Sequence, residues 1–386
     1  FRTPSFPFQW GYRMFSTWWA RAVILTFAIF SSIAAGFLIF RGPIHQQIVK
    51  QTAARSFGSL KLNLLILGYQ ADEATTDTII VAHLDVGRRS ATLVSIPRDT
   101  WVPVPGAGYT KINAAYAYGG AHATAKVAGK LLGGVPIDAI VALQPENAAA
   151  IVDALGGLDV NVDEAMDYDD EGGDLHIHLK AGEQHLNGSQ VAGYLRFRHD
   201  AASDFGRVRR QQQVLKLMMA QLSEPQNWAK LPQILKLARK QIHTTMSNQQ
   251  LASLLTIYRN VPDENVRSFT LPSRVGWVGD ASVVFADPRW AKLIGALLFD
   301  RGDPPQDDVL VANATGNVAL DGTIVGTLRG AGWNVPTFVD TKVKPKSVVV
   351  GNSAAALALA KTFATTTRPG TKTALVIGAD LAPDTE

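Results

Sequence analysis

The fold of this chain is decided by residues 60–100, whose sequence is LKLNLLILGYQADEATTDTIIVAHLDVGRRSATLVSIPRDT. Three short apolar runs lie within it, at Leu62–Leu67, Thr78–His83 and Ala91–Ile96, and Pro97 ends the last of them. Apolar runs of this length, bounded by turn residues, are typical of strands that are buried on both faces of a sheet. Residues 60–100 therefore predict three buried strands.

Amphipathic helices and further strands follow these three, and this alternation predicts an α/β fold. Gly156-Gly157 closes one predicted helix, and Asp204 is placed to cap the next. We expect helices at Ala121–Leu132, Pro145–Leu155, Asp204–Leu222, Leu231–Ile242, Asn248–Asn260 and Arg289–Leu298, and strands at Ala139–Leu143 and Ser268–Leu271.

The C-terminal part of the chain repeats the α/β pattern on a smaller scale. Arg301–Asp308 is polar and contains two prolines, which is typical of a linker. After it we expect strands at Val309–Ala312, Val335–Val339, Ser347–Val350 and Ala374–Ile377, and helices at Val318–Arg329 and Ala354–Phe363. The sequence therefore predicts a second, small α/β domain over residues 309–380.

Composition excludes several classes of protein. The 386 residues are 47% hydrophobic and carry a net charge of only +4, which excludes long-range disorder. No residue is cysteine, so disulfides, thiolate metal sites and thiol nucleophiles are excluded. Basic residues are not interleaved with aromatic ones, so we expect no nucleic-acid partner.

An uncharged apolar run at Ala22–Phe40 predicts a transmembrane helix of ~28 Å. Arginines at 2, 13 and 21 precede the run, and this basic flank places residues 1–21 in the cytoplasm and the chain from about residue 42 outside. The alternatives are a buried core helix and a cleaved signal peptide. Arg41 follows the run at once, without a small-residue cleavage pattern, which favours a retained single-pass anchor in the cell membrane.

The most informative polar stretch is residues 196–213, RFRHDAASDFGRVRRQQQ, whose first fifteen residues contain five arginines. Arg196 and Arg198 are two apart, so in an extended segment they share one face. Guanidinium groups beside a helix N-terminus suit an anion with several oxygens, such as a phosphate or pyrophosphate. The alternative is a solvated basic face that is paired with surface acids.

The start of the helix that follows adds three more polar side chains to this stretch. Arg207, Arg210 and Gln211 are spaced i, i+3 and i+4, so they share one face of the helix. They extend the predicted phosphate-binding surface.

Two further candidates flank the predicted strands. Arg98 and Asp99 follow the third strand, where catalytic groups of open α/β sheets gather, and the alternative is a surface turn. Asp77 precedes the second strand and is a candidate Mg²⁺ ligand, or else a turn residue. The loop Gly106–Gly120 contains Lys111 and three tyrosines, and it is either a lid over a substrate or a cap for the next helix.

Two metal-like signals are discounted. Residues 163–174 include seven acidic residues, but their order lacks the ligand spacing of a calcium loop, so we expect a solvated acidic loop. His176 and His178 share a strand face without a third ligand in the sequence, which favours ordinary strand packing over a zinc site.

Six motifs occur along the chain in a fixed order. They are Asp77-Thr78, Ser95–Thr100, Lys111–Gly120, Ile151–Gly157, Arg196-Phe-Arg198 and Asp204-Phe-Gly-Arg207-x-x-Arg210-Gln211. In this order they resemble the motifs of the LytR-CpsA-Psr family over roughly residues 60–300. The tail from Val309 resembles, more loosely, the small LytR C-terminal domain, with Val311–Gly316 as its opening turn.

The resemblance implies an α-β-α sandwich around a central mixed sheet, and a membrane-anchored transferase that works outside the cytoplasmic membrane. Such a protein binds a polyprenyl (pyro)phosphate in an apolar tunnel and transfers the attached glycopolymer, with Mg²⁺, to a cell-wall acceptor such as peptidoglycan. Asp77 is then the Mg²⁺ carboxylate. The implied phosphate ligands are Arg98, Lys111, Arg196, Arg198, Arg207, Arg210 and Gln211.

Phosphoryl transfer requires positioning and charge neutralisation, which an arginine cluster and a divalent ion supply. The acceptor hydroxyl also needs a base, and Asp99 and Asp204 are the two candidates. The resemblance gives Asp204 a second possible role, in orienting the arginines.

The chain departs from the family pattern at Gly68-Tyr69-Gln70, where many members have Gly-x-Asp. Gln70 carries no charge for a metal, so either Asp72 substitutes or metal binding is weaker here. Two alternatives to the transferase follow: a polyprenyl-pyrophosphate pyrophosphatase, in which water replaces the acceptor, and a non-catalytic polyprenyl-phosphate-binding scaffold, which Gln70 favours.

Overall fold

The computed structural model describes residues 46–70, 75–172, 175–197, 203–299 and 304–382. The predicted membrane segment Ala22–Phe40 lies outside these residues. Within them, no helix is both long and apolar enough to cross a bilayer. The chain divides into two units, Phe1–Ile48 and Val49–Glu386, and the elements that position the candidate site belong to the second.

The described elements are numbered in chain order. The helices are α1 (46–57), α2 (Ala115–Leu131), α3 (Pro145–Leu155), α4 (Gly188–Arg196), α5 (Ser203–Ser223), α6 (Leu231–Gln241), α7 (Asn248–Tyr258), α8 (Pro288–Leu298), α9 (Asp321–Gly330) and α10 (Ala354–Thr362). The strands are β1 (Lys61–Gln70), β2 (Thr75–Asp85), β3 (Ser90–Ser95), β4 (Trp101–Val104), β5 (Gly108–Lys111), β6 (Ala139–Leu143), β7 (Leu158–Val162), β8 (Met166–Asp170), β9 (Leu175–Leu179), β10 (Gly182–Leu186), β11 (Ile242–Thr244), β12 (Val266–Thr270), β13 (Ser273–Val278), β14 (Ala281–Ala286), β15 (Asp308–Ala314), β16 (Asn334–Asp340), β17 (Val348–Val350), β18 (Thr367–Arg368) and β19 (Thr373–Gly378).

The central sheet has six strands in the order β11-β6-β1-β2-β3-β12. β1 pairs with β2 and β2 with β3 in antiparallel fashion, while β1 with β6 and β3 with β12 are parallel. The three strands predicted from residues 60–100 are therefore confirmed. β1 and β2 extend beyond their apolar runs, because backbone pairing continues through the polar residues at the edge of the sheet.

Helices cover both faces of this sheet, which confirms a mixed α/β fold. Leu65 and Leu67 of β1 belong to the core beneath α2 and α8. Leu62 and Leu64 belong to the core beneath α1 and α7. Successive side chains of a strand point to opposite faces, so an apolar run without alternation requires a helix layer on each side.

Several helix boundaries refine the sequence predictions. α3 ends at a left-handed Gly156, as expected. α5 begins at Ser203, so Asp204 lies in its first turn, and the expectation that Asp204 caps the helix is wrong. α2 begins at Ala115, but Gly119 and Gly120 have non-helical backbone, so the helical stretch that follows this kink starts at the predicted Ala121.

Four two-stranded ribbons and α4 have no counterpart among the predicted elements, apart from the strand face of His176 and His178. The ribbons are β4–β5, β7–β10, β8–β9 and β13–β14. α4 begins with a reciprocal capping box between Asn187 and Gln190. Each ribbon strand has only four to six residues and α4 has nine, so even the regular alternation of β7 is too short to identify a strand by itself.

The C-terminal residues form a five-stranded sheet in the order β16-β15-β19-β17-β18. Its helix α9 packs on β3 and β12 of the central sheet. A Cβ at Gly326 would lie 2.8 Å from the Phe269 ring, and one at Gly330 would lie 2.4 Å from Thr92 Oγ1. Glycines on one helix face thus let the backbone of α9 approach the edge of the central sheet closely.

Candidate functional site

The candidate site lies at the edge of the central sheet where β2 begins and β3 ends. Because β2 and β3 are antiparallel, the start of β2 and the residues after β3 meet at this edge. Arg98 Nη1 lies 2.5 Å from Asp77 Oδ1, and the Asp77 side chain is only 6% exposed. Two residues that were proposed from separate stretches of sequence therefore form one ion pair.

An irregularity in the β1–β2 ladder positions Asp77. Gly68 pairs with Thr78 but Tyr69 pairs with Thr76, so Asp77 is an extra residue in β2. A bulge of this kind re-aims the side chain of the extra residue. A Cβ at residue 68 would lie 2.8 Å from Thr78 Oγ1, so the close approach of the two strands requires a glycine in β1.

Hydrogen bonds on both sides hold the turn that contains Arg98. The Thr100 amide and hydroxyl both donate to the Pro97 carbonyl, at 3.0 and 2.5 Å. The amides of Ile112 and Asn113 donate to the carbonyls of Thr100 and Arg98, at 2.8 and 3.1 Å. The segment after β5 therefore fixes the backbone of Arg98.

A second ion pair lies beside the first. Lys111 Nζ, at the end of β5, is 3.1 Å from Asp99 Oδ1, and both side chains are partly exposed. The Asp99 carbonyl also accepts a hydrogen bond from the Val284 amide of β14, at 2.9 Å. The structure thus pairs the two charged residues of one turn, Arg98 and Asp99, with Asp77 of β2 and Lys111 of β5.

Aromatic side chains lie where β1 ends. The rings of Tyr69 and Tyr116 stack with centroids 5.1 Å apart, and His243 of β11 lies 5.9 Å from Tyr69. Burial raises the pKa of both tyrosines, so their phenols stay protonated at neutral pH. Residues 112–114 form a 3-10 turn and α2 begins at Ala115, so the end of the Gly106–Gly120 segment is helical. Its role as a lid or a cap stays a prediction.

Thr76 is a candidate that the sequence analysis missed. It is fully buried next to Asp77, and within the described part of the chain its hydroxyl has no hydrogen-bond partner. A buried hydroxyl without a partner is costly, so such a group marks a place where another polar group is expected to bind. The polar run Thr75-Thr76-Asp77-Thr78 at the start of an apolar strand was the available signal.

Arg196 does not lie in the extended segment that was predicted for Arg196 and Arg198. Arg196 is the last residue of α4 and is half-buried. The expectation that it lies in an extended segment is therefore wrong, because the capping box at Asn187 and the buried Val191 and Tyr194 establish a helix. Arg198 lies outside the described residues.

Arg210 occupies the interior. Its side chain is 3% exposed, its Nη2 donates to the Phe197 carbonyl, and its guanidinium carbon lies 5.8 Å from the ring centroids of both Tyr194 and Phe197. These contacts join α5 to the end of α4. The i, i+3 spacing placed Arg210 with Arg207 on one face but did not show that this position is covered by aromatic rings.

Three other predicted site residues lie in the first turns of α5, namely Asp204, Arg207 and Gln211. Their side chains lie outside what the structure describes, as does the side chain of Gln70 in β1 and the whole of Asp72. Their roles stay predictions.

The β8–β9 ribbon contains acidic residues of the predicted loop together with His176 and His178. The Nδ1 atoms of His176 and His178 lie 2.6 Å from the carboxylates of Asp169 and Asp167, and all four side chains are exposed. The hydrogen bond to Asp167 raises the pKa of His178, and the one from His176 lowers that of Asp169. The histidines therefore share a face of β9, as expected, and form surface pairs with acids.

No group of three or more His, Cys, Asp or Glu side chains in the described ranges is arranged to hold a metal ion. A divalent ion at the Asp77 edge would therefore take most of its ligands from elsewhere.

Comparisons with known proteins agree with this architecture. The sequence profile described as the LytR_cpsA_psr family matches residues 44–293. The regulatory protein MsrR of Staphylococcus aureus is 31% identical over 226 residues, which cover 55% of this chain and 64% of MsrR. The polyisoprenyl-teichoic acid–peptidoglycan teichoic acid transferase TagV of Bacillus subtilis is 29% identical over 242 residues, 61% of each protein. The chain thus spans less than two thirds of each of these relatives.

Solved structures show the same fold. The crystal structure of Bacillus subtilis TagV superposes with a TM-score of 0.54 at 28% identity, over 60% of this chain and 92% of TagV. That of Bacillus subtilis TagT, at 22% identity and a TM-score of 0.50, covers 62% of this chain and 89% of TagT, and it supports the fold alone. Since the family profile spans well over half of the 386 residues, from α1 through β14 into α8, the chain belongs to the LytR-CpsA-Psr family.

Proposed function

We propose that this protein is a membrane-anchored phosphotransferase that moves a glycopolymer from a polyprenyl pyrophosphate carrier to a hydroxyl of a cell-wall acceptor such as peptidoglycan. The acceptor oxygen attacks the phosphorus that bears the glycopolymer. The bond from that phosphorus to the bridging oxygen breaks, polyprenyl phosphate leaves, and the acceptor proton passes to a carboxylate. The product is a glycopolymer joined to the acceptor by a phosphodiester.

The observation that carries this proposal is the Asp77–Arg98 ion pair on a braced turn at the edge of the sheet. Charge develops on the phosphoryl oxygens during transfer, and a guanidinium held in a preformed position stabilises it without reorganising. Asp77 and the backbone bonds around Pro97 and Thr100 hold Arg98 before the substrate arrives. The names of TagV and of TagU from Bacillus mycoides, which is 32% identical over 204 residues, describe such a transfer for those relatives.

Asp99 is the acceptor base in this proposal. It lies one residue from Arg98, and its pair with Lys111 places a cation beside it that can also contact a phosphate oxygen. Asp204 in the first turn of α5 is the second candidate.

The residues at the edge fit a Mg²⁺ ion that is brought with the pyrophosphate. Mg²⁺ takes oxygen ligands and is commonly bound through one or two carboxylates together with substrate phosphates. Asp77 supplies one carboxylate, and the buried Thr76 hydroxyl beside it is a further oxygen without a partner among the described residues. When bound, the ion would neutralise charge on the pyrophosphate.

The predicted anchor at Ala22–Phe40 suits this role, because a polyprenyl carrier resides in the bilayer. In the proposed topology residues 1–21 are cytoplasmic and the catalytic part lies outside the membrane. Residues 60–300 form the catalytic domain in this proposal, and residues 309–380 form a LytR C-terminal-like domain.

The test is transfer by the full chain in detergent, with a polyprenyl-pyrophosphate-linked oligosaccharide as donor and uncrosslinked peptidoglycan as acceptor. We expect polyprenyl phosphate and glycosylated peptidoglycan in equal amounts. Release of polyprenyl phosphate with no modified acceptor would instead identify a pyrophosphatase, and donor binding without either product a scaffold.

Arg98→Ala should reduce transfer by about 10²–10³-fold, the usual effect of removing one preorganised donor. Arg209→Ala is the matched control, because Arg209 pairs with Asp163 on the exposed surface at 2.8 Å. Equal activity of the two variants would contradict the site assignment.

A further inference from the structure

The β13–β14 hairpin projects past the edge of the sheet that holds the Asp77–Arg98 pair. β12 ends at Thr270 opposite Ser95, the last residue of β3, and the chain continues outward as β13. β14 returns beside the site, where Val284 pairs with Thr100 and donates its amide to the Asp99 carbonyl at 2.9 Å. The hairpin is therefore attached directly to the turn that contains Arg98.

One face of this hairpin carries an exposed aromatic ring. The Trp277 side chain is 69% exposed, and Val275 on the same face is also exposed. Trp277 pairs with Ser282, two residues before Val284. At about 3.3 Å per residue, this register places Trp277 roughly 7 Å along the strands beyond the level of Asp99. Tryptophan is enriched at interfaces, because its ring offers a large apolar face and its indole N–H can donate a hydrogen bond.

The opposite face of the hairpin is filled by its own side chains. The Arg274 guanidinium lies 4.8 Å from the centroid of the Phe285 ring. A Cβ at Gly276 would lie 2.8 Å from that ring, so the glycine makes room for it. A two-residue turn, Gly279-Asp280, with Gly279 at φ +60°, closes the hairpin tightly. The tryptophan thus stands on a stiff support.

The chemistry around the indole favours a sugar ring over a membrane surface. A pyranose has an apolar face of C–H groups, which packs on an aromatic ring, and a polar rim that hydrogen-bonds to nearby polar groups. Ser282 lies opposite Trp277, and Asp280 supplies a carboxylate at the tip. The face that bears Trp277 has no basic side chain, since its other residues are Ser273, Val275, Ser282, Val284 and Ala286, and Arg274 lies on the opposite face against Phe285. This face therefore has nothing to attract an anionic lipid surface, and the acid at the tip opposes insertion into one.

We propose that the β13–β14 hairpin is the docking surface for the acceptor glycan, with Trp277 stacked on one of its sugar rings. This inference rests on the proposed function, which requires an acceptor hydroxyl next to the Asp77–Arg98 pair. It assigns to the hairpin the positioning of the acceptor and not of the lipid-linked donor.

The first experiment measures binding of the full chain in detergent to purified peptidoglycan stripped of other polymers, by cosedimentation without any donor. Trp277→Ala should weaken binding about tenfold, and Trp277→Phe should restore part of it. Tyr109→Ala is the matched control, since Tyr109 is 66% exposed on the separate β5 strand. Undiminished binding by Trp277→Ala, or no binding by the parent protein, would overturn the inference.

A second experiment uses the absence of cysteine from the chain. Ser282→Cys, labelled with an environment-sensitive fluorophore, is placed with the full chain in lipid nanodiscs. In nanodiscs alone we expect the fluorophore to emit at the wavelength of a label in water. The emission should shift to the blue only when peptidoglycan fragments are added. A blue shift in the nanodisc alone would show that the hairpin inserts into lipid and would overturn the proposal.

Steady-state kinetics distinguish the docking role of the hairpin from the proposed transferase activity. In Trp277→Ala the KM for the acceptor should rise about tenfold while the KM for the donor stays the same. An unchanged acceptor KM contradicts the role of the hairpin alone. Glycan binding through Trp277 in a parent protein that transfers nothing supports the hairpin and contradicts the transferase.

Discussion

Arg98 Nη1 lies 2.5 Å from Oδ1 of Asp77, and this contact joins the turn after β3 to the irregular start of β2. The carboxylate is almost completely buried, so its charge depends on the guanidinium for compensation. The same arginine is the proposed phosphate ligand. The pair therefore has a structural role and a proposed functional role, and unfolding and turnover experiments measure the two separately.

We expect the two side chains to be coupled energetically. Arg98→Ala leaves a buried carboxylate without this partner and should cost about 2–3 kcal/mol of the free energy of unfolding, whereas Arg98→Ala combined with Asp77→Ala should cost less than the sum of the two single changes. Chemical denaturation of the four proteins completes the double-mutant cycle. Additive changes would mean that the contact contributes nothing to stability.

Asp77→Asn tests the metal assignment. It keeps the shape of the side chain and removes the charge, so the Mg²⁺ concentration for half-maximal transfer should rise about tenfold or more, with a smaller effect on the maximal rate. Asp169→Asn on the exposed β8–β9 ribbon is the control. Identical Mg²⁺ titrations for Asp77→Asn and the parent protein would show that Asp77 is not a ligand.

His83 should make stability depend on pH. Burial, opposed in part by the nearby Asp85 carboxylate, lowers its pKa from 6.5 to about 4. The neutral ring donates from Nδ1 to Asn63 Oδ1 at 2.8 Å. Since the unfolded chain binds this proton more readily, the stability contributed by the neutral ring is present above pH 6.5 and is lost as the pH falls toward 4, by roughly 3 kcal/mol in all.

The measurement is the difference in unfolding free energy between pH 7.5 and pH 4 for the parent protein and for His83→Gln, which cannot titrate. The variant should be less stable at neutral pH but lose less on acidification. If both proteins lose the same amount, a different group is responsible.

The docking of α9 on the central sheet should depend on the size of residue 326. Gly326→Leu places a side chain where the Phe269 ring lies and should destabilise the protein by about 1–3 kcal/mol. Gly322→Ala is the control on the same helix, because its Cβ would meet nothing within 4 Å. It should be neutral or stabilising by up to about 1 kcal/mol. Thermal unfolding distinguishes the two, and similar melting temperatures would contradict the observed packing.

Arg210 should affect stability more than substrate binding. Arg210→Ala removes the donor to the Phe197 carbonyl and the contacts with two aromatic rings. It should cost about 1–3 kcal/mol. The free energy of unfolding should fall, whereas the KM for the donor should change little among molecules that remain folded. A raised donor KM with unchanged stability would instead support the prediction that Arg210 is a phosphate ligand.

Most of the regular elements could be predicted from the sequence. The helix Pro145–Leu155 and the strand Ala139–Leu143 have the predicted boundaries, because each is a complete apolar pattern closed by turn residues. The ribbons and α4 were not predicted, since each of these elements is too short for its hydrophobic pattern to be distinguished from a loop. Arg196 was assigned to an extended segment because its own neighbours do not show that a capping box nine residues earlier begins a helix.

The candidate site, too, could be predicted only in part. Asp77, Arg98 and Asp99 were found because they are charged residues at the ends of apolar runs, and Lys111 because it lies in a glycine-bounded loop with three tyrosines. Both signals depend only on local order in the chain. Arg98 was assigned to a phosphate, but its ion pair with Asp77 was not foreseen, because the two residues are 21 positions apart.

The sequence by itself therefore determined the class of fold, the positions of the longer apolar strands along the chain and the type of residue at the sheet edge, since these follow from local hydrophobic pattern and residue chemistry. Only the tertiary structure decided which charges pair, that Arg210 is buried against two aromatic rings, and that Trp277 stands exposed on the hairpin that hydrogen-bonds to Asp99. Those facts depend on contacts between residues that are distant in sequence, and such contacts form only when the sheet and its helices pack together.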